Sequence, residues 1–150
     1  MFTIRNERSG DWEAVETLTR RAFYNQYIPG CMEHYLVHIM RGHEDFIPEL
    51  DFVAELDGEN IGKIMDTPAW LTDAAGNEKP VLTFGPVCVA PEHQRQGYGK
   101  TLMEHSFEAA RTLGYDTVVI FGSPANYVAR GFVCCKKHRV SVEGGKYPSA

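Results

Sequence analysis

Apolar and polar positions along this chain recur with two different periods, and the switches between them mark out its elements. An alternating stretch at Thr3–Asn6 predicts a first strand. From about Asp11 to Asn25, Val15, Leu18 and Ala22 recur at spacings of three and four. That spacing predicts a helix with those residues inward and Ser9 or Asp11 as its cap. The loop Tyr27-Ile28-Pro29-Gly30 leads to a second helix near Met32–Arg41, and Phe46-Ile47-Pro48 is a connector. Phe52–Leu56 reads as a strand, Asp57-Gly58-Glu59-Asn60 as a hairpin turn and Ile61–Trp70 as the return strand. After a longer turn at Asp73–Asn77, Val81–Val89 is the next strand, interrupted by Gly85-Pro86. Proline cannot donate to a sheet ladder, so a bulge is expected there. Leu102, Ser106, Ala110 and Leu113 then share one helical face, as do Met103, Phe107 and Ala110. Gly114 follows, where a left-handed C-terminal cap favours glycine. Thr117–Phe121 is a short apolar, β-branched run of the buried-strand type. Strand, helix and strand in this order place Val81–Val89 and Thr117–Phe121 parallel.

The junction before the long helix carries the chemistry. Val87-Cys88-Val89 runs into the polar loop Ala90–Gln96, and Gly97-Tyr98-Gly99 opens the helix. Backbone N–H groups there converge with the positive end of a helix dipole, which suits a phosphorylated ligand. Gly99-Lys100-Thr101 imitates the end of a nucleotide P-loop, but that motif needs glycine five residues before Gly99, where Gln94 stands. The run Thr117–Phe121 also ends without a magnesium-holding aspartate. A dinucleotide fingerprint needs a third glycine where Leu102 stands. What does match is Gln/Arg-x-x-Gly-x-Gly/Ala, at Gln94, Gly97 and Gly99.

With Val89-Ala90-Pro91 before that motif, a long helix after it and an apolar strand beyond, the chain resembles the GCN5-related N-acetyltransferases over nearly its whole length. Ile4-Arg5, Asp11 and Val15–Leu18 are similar to the family's first strand and helix. Ser123-Pro124-Ala125-Asn126-Tyr127 with Gly131-Phe132 is similar to the late motif of a bacterial subgroup. The resemblance implies an α/β (α+β) acyltransferase fold: a mixed, mostly antiparallel sheet whose central parallel pair splays at the bulge, flanked by about four helices. It implies acetyl-CoA as cosubstrate and no metal. The pantetheine arm would lie between the splayed strands and pair with Val87 and Val89; the alternative is a bulge that only relieves twist. Gln94, Arg95, Gln96, Gly97, Tyr98, Gly99 and Lys100 would hold the phosphates, and Asn126 would donate to CoA. The Val89 N–H would stabilise the oxyanion, and Tyr127 would protonate the leaving sulfur; the alternative for Tyr127 is an aromatic packed on the last helix. Arg130, Lys136, Lys137 and Arg139 are candidates for the adenosine phosphate or for a solvated face.

The expected function is acetyl transfer from acetyl-CoA to a primary amine of a small molecule or protein, by direct attack. A non-catalytic acyl-CoA-sensing module is the alternative. Glu33, His34 and Glu44 lie in the segment that borders the acceptor site in the family, and a water relay is the other route for the proton. Two departures stand out: Asn126 and Arg130 replace the usual tyrosine and aromatic of the late motif. Relatives also continue past Tyr147-Pro148-Ser149-Ala150 into a short last segment.

Composition narrows the partners. A chain of 150 residues with 43% apolar content can bury one sizeable core, so residues 1–150 are expected to form one domain. The net charge of −5 and the absence of a basic stripe argue against nucleic acid. No run approaches a membrane span, and Met1–Arg8 lacks the apolar core of a signal peptide, so a cytoplasmic protein is expected. Cys31, Cys88, Cys134 and Cys135 lack the paired Cys-x-x-Cys spacing of zinc sites, and reduced thiols are expected. His34 and His38 are four apart near Cys31 and His43, but ordinary histidines on a partly exposed helix fit better than a metal site. Pairing of exposed strands leaves a homodimer open.

Overall fold

The computed structural model describes residues 1–147. Pro148-Ser149-Ala150, where the family's last segment was expected to continue, lie outside the described residues. Four strands, β1 (Phe2–Asn6), β2 (Asp51–Leu56), β3 (Glu59–Thr72) and β4 (Glu78–Val89), form an antiparallel sheet in the order β1-β2-β3-β4. The helices are α1 (Trp12–Phe23), α2 (Glu33–Met40), α3 (Tyr98–Thr112) and the single turn α4 (Pro124–Tyr127). This is the expected α/β acyltransferase architecture, with β3 and β4 longer than the apolar runs alone indicate.

The bulge falls where the sequence places it. Ile64 pairs with Val87 and Asp66 with Phe84, so Met65 alone faces Gly85 and Pro86. Before the bulge, Leu82 N–H donates to Thr117 O at 3.0 Å and Val119 N–H donates to Leu82 O at 2.8 Å. Among the described residues that parallel bridge, Leu82 to Val118, is the only strand pairing of this segment, so the expected strand Thr117–Phe121 is corrected to one bridge. The reason is geometric: the kink carries β4 away, and Ile120 and Phe121 have no β4 partner.

Other expectations also shift. Ser9–Asp11 is a 3-10 turn and α1 ends at Phe23, because Asn25 turns left-handed at φ 56°. Asp11 occupies the N-cap position of α1 but makes no side-chain cap hydrogen bond; its carboxylate grips Arg5 at 2.7 and 2.9 Å and accepts the Arg8 N–H at 2.8 Å. The Arg5 guanidinium holds the Asp11 carboxyl well below the usual carboxylate range. Gly114 adopts the left-handed cap, at φ 93°, but Leu113 is exposed rather than on the buried face.

β3 is buried on both sides, so charge enters the core unannounced. On one face Val15, Val37, Val53 and Met65 pack together. Lys63, fully buried there, meets Glu7 at 3.1 Å and Asp51. Arg41 binds Glu7 at 2.8 and 2.9 Å and also meets Glu16, with its guanidinium 5.2 Å above the Trp12 ring. This chain of paired charges ties α2 to the sheet. On the other face Leu82, Phe84, Leu102 and Met103 pack under α3. Asp66 lies among them, 1% exposed, with Ser106 as its hydrogen-bond donor. Asp66 Oδ1 is a buried side-chain oxygen without a partner, and burial pushes this carboxyl up to about 6.

Asp66 therefore weakens the fold as it ionises. The buried carboxyl keeps its proton to about pH 6 and the unfolded one loses it near 3.8, so stability falls between those values and is constant above. The gap is worth roughly 3 kcal/mol. Asp66→Asn should gain stability over the wild type by about that amount between pH 4 and pH 7. Urea titrations at both pH values check this; a variant whose advantage does not grow with pH refutes it.

Candidate acyl-CoA site

The site begins at the carboxyl end of β4. Ala90 N–H donates to Ile61 O at 2.7 Å. In an antiparallel ladder the orientation alternates, so the amide groups of Val89 and Val87 face away from β3. β4 is the edge of the sheet, and the segment beyond it has already departed after Leu82. Two backbone positions thus face out from the open edge of β4. Gln94 Nε2 donates to Val89 O at 3.0 Å, which braces the loop against the strand end.

The loop itself is built from turns that side chains rarely favour. Arg95 at φ 61° and Gly97 at φ 91° are both left-handed, and this reverses the chain so that α3 starts beside β4. A Cβ on Gly99 would lie 3.5 Å from Val89 Cγ2, so the helix start abuts the strand. Thr101 N–H is the first to bond within the helix, to Gly97 O at 3.1 Å. The N–H groups before it have no helical acceptor and point outward at the positive end of a 15-residue helix. Tyr98 turns its ring inward, 5.0 Å from Phe2 and 6.2 Å from His93, which leaves its amide for the loop. Gln96 Nε2 donates to Glu92 O at 3.2 Å. Arg95 and Lys100 are exposed, and Lys100 is 3.8 Å from Glu104.

Tyr127, at the end of α4, closes the other side. Its ring lies among Phe84 (6.0 Å) and Phe132 (5.7 Å). Burial first, and the nearby Tyr27 phenol second, push its hydroxyl up, with Arg130 partly offsetting them. A group so shifted holds its proton at neutral pH. Asn126 is exposed, its N–H bonded to Ser123 O at 2.9 Å. Arg130 turns back to Met103 Sδ at 3.8 Å, while Lys136, Lys137 and Arg139 are exposed around a 3-10 turn. Tyr127 also borders an apolar cavity of about 490 Å³ shared with Val81, Thr83, Val119 and Phe121.

Of the candidate bases, Glu33 and His34 open α2, and Glu44 sits exposed in the turn after it. The Cys88 thiol lies between Val87 and Val89, and burial pushes it up to about 12. The side chains that hold the site together, Lys63 and Asp66, are absent from the sequence-based candidates. A strand in which Ile61, Lys63, Ile64, Met65 and Asp66 are all buried shows no alternation to flag them. Among the described residues no group of histidines, cysteines and acids is arranged to hold a metal ion, and no helix is long and apolar enough to cross a membrane.

Comparison with known proteins agrees with this geometry. The model of the Acetyltransferase (GNAT) family matches residues 12–133. The uncharacterized N-acetyltransferase YjhQ of Escherichia coli (strain K12) is 31% identical over 135 residues, covering 89% of this chain and 71% of that protein. A GNAT family acetyltransferase from Brucella melitensis, solved in complex with acetyl-CoA, superimposes with a TM-score of 0.78 at 29% identity, over 89% of this chain and 83% of the other. The acetyltransferase YhbS from Escherichia coli, solved in complex with CoA, gives 0.78 at 27% identity, over 92% and 72%.

The seat of Tyr127 depends on a missing side chain. A Cβ on Gly122 would lie 2.2 Å from Tyr127 Cε2 and 2.7 Å from Cδ2. Gly122→Ala should push the ring from its place at a cost of about 1–3 kcal/mol. Urea unfolding and near-ultraviolet circular dichroism of the aromatic cluster check it; an unchanged spectrum and midpoint refute it.

Proposed function

The chain belongs to the GNAT acetyltransferase family, and on that premise we propose that it moves the acetyl group of acetyl-CoA to a primary amine by direct attack. The observation that carries this reading is the pair of outward amides at Val87 and Val89, opened by the Gly85-Pro86 bulge beside the loop at Gly97. Acetyl-CoA and CoA in the two related structures support the choice of donor. The pantetheine would pair with Val87 and Val89. The loop from Gln94 to Lys100 would take the pyrophosphate on its backbone N–H groups, with Arg95 and Lys100 adding charge and Asn126 donating from α4. Free thiols at Cys31, Cys88, Cys134 and Cys135 fit a reducing compartment such as the cytoplasm.

The chemistry then follows in two steps. The amine nitrogen attacks the thioester carbonyl carbon, and the electron pair moves to oxygen, where the Val89 N–H stabilises it. The oxyanion collapses, the C–S bond breaks, and the sulfur takes the proton of Tyr127 while the new ammonium releases one. A thiol of pKa ~8.5 leaves readily, so the acid accelerates the step without being indispensable. Deprotonating a lysine-like amine of pKa ~10.4 at pH 7 costs roughly 4.6 kcal/mol, so the acceptor side carries the larger share of the barrier.

Tyr127→Phe should lower kcat by about 10-fold to 100-fold while the acetyl-CoA dissociation constant changes by less than about 3-fold. Thiol release over a panel of amines measures the first and calorimetry the second. Acetyl-CoA binding without release for any amine would support the sensing module instead.

A further inference from the structure

The apolar cavity on Tyr127, about 490 Å³, is far larger than a two-carbon acetyl group needs. Its size lies within the range of about 300–1,000 Å³ that houses small-molecule ligands. Several of its large apolar side chains stand open to solvent, with Trp70 at 53% exposure, Phe121 at 69% and Val133 at 58%. Apolar residues exposed together in this way mark a binding surface.

The sheet determines where the cavity lies. Leu82 and Phe84 pack under α3, so Val81 and Thr83 project from the opposite face of β4. Ala69 stands directly across from Val81 on β3 and shares that face. These three line the cavity together with Val119, Phe121 and Tyr127. Both partners of the Leu82–Val118 bridge therefore contribute their neighbours to its wall. Val87 and Val89, the proposed pantetheine partners, lie further along the same β4. Tyr127, the proposed acid for the sulfur, is itself part of the cavity wall.

Charge decides what such a cavity holds. The two charged residues of its described lining, Lys136 and Glu143, are both exposed. The interior offers an ammonium no counter-ion, and stripping water from an unpaired charge is costly. A neutral hydrocarbon meets no such cost, and each methylene it buries tightens binding by about 4-fold.

Resting on the acyl-transfer reading above, we infer that this cavity receives the acyl chain of the donor, and that the protein accepts, beyond acetyl-CoA, thioesters of medium-length neutral hydrocarbon acids. The chain extends from the thioester at Tyr127 over Thr83 and Val81, between Ala69 and Val119. The transfer keeps its balance: the amine nitrogen forms the C–N bond, the C–S bond breaks, and the sulfur takes the Tyr127 proton. The ammonium loses one proton to water, and the amide product carries the longer chain.

Calorimetry of acetyl-CoA and octanoyl-CoA tests this without turnover. Octanoyl-CoA should bind at least about 10-fold more tightly, which requires only part of its additional methylenes to be buried. Ala69→Phe and Thr83→Phe, which fill the cavity, should each cut that advantage below about 3-fold. Acetyl-CoA affinity should stay within about 3-fold in both, which also reports that the variants are folded. Equal affinity of the wild type for the two thioesters overturns the proposal, as does an advantage that survives both substitutions. Should 2-phenylethylammonium instead bind the CoA-saturated protein and lose that binding in Ala69→Phe, with no octanoyl advantage, the cavity belongs to the acceptor and the proposal falls. An octanoyl advantage lost in both variants, with no thiol release for any amine, leaves the chain pocket standing and overturns the catalytic reading.

Discussion

One residue facing two is the constraint on which the rest of this molecule depends. Met65 stands opposite Gly85 and Pro86, and the extra residue bends β4 away from the segment it had just joined. Up to Leu82 the sheet is closed by a parallel bridge; past the bulge the edge is open. Backbone groups at a sheet edge are normally a hazard, since they invite another strand. On the proposed reading the bulge turns that hazard into a slot for one extended ligand, with Val87 and Val89 facing it. The loop that follows has to reverse direction at once to put a helix N-terminus beside the same slot. Arg95 and Gly97, both left-handed, achieve the reversal, and Gln94 fastens it to the last carbonyl of the strand.

A slot needs walls that do not move, and the charges buried around β3 supply them. Lys63 and Asp66 are three residues apart, so they project to opposite faces of one strand. Lys63 is the centre of a satisfied network: Glu7 and Asp51 surround it, and Arg41 extends it to α2. Removing one member of such a network leaves an uncompensated buried charge, which costs about 3–5 kcal/mol. The network fixes the end of α2, where Arg41 follows Met40. Asp66 is the opposite case, a carboxyl under α3 with one oxygen unpartnered. It anchors Ser106 of the CoA-side helix while weakening the fold whenever it is ionised. Buried groups of this kind are kept for what they position rather than for stability.

Legibility divided along the same line. The bulge, the helix start and its left-handed glycine are encoded by proline and glycine, whose backbone effects are local and can be read from single positions. Gln94, Gly97 and Gly99 lie where their spacing puts them, and the resemblance built on them agrees with the family match. What the sequence did not disclose required the third dimension. Lys63 and Asp66 fall on opposite faces of one strand and helices cover both, so alternation carries no information. Thr117–Phe121 has the composition of a strand, but pairing depends on a neighbour that the bulge removes. Asp11 has the composition of a cap, but Arg5 of β1 claims its carboxylate.

On the proposed reading the donor side of this site is written in backbone and the acceptor side in side chains. A common cosubstrate can be recognised by amides, whatever the residues that bear them, so a short motif suffices to reveal it. An acceptor is recognised by the particular groups that surround its amine. The same fold can thus keep its donor while its acceptor changes, because exchanging side chains elsewhere leaves the backbone at Val87, Val89 and the Gly97 turn untouched.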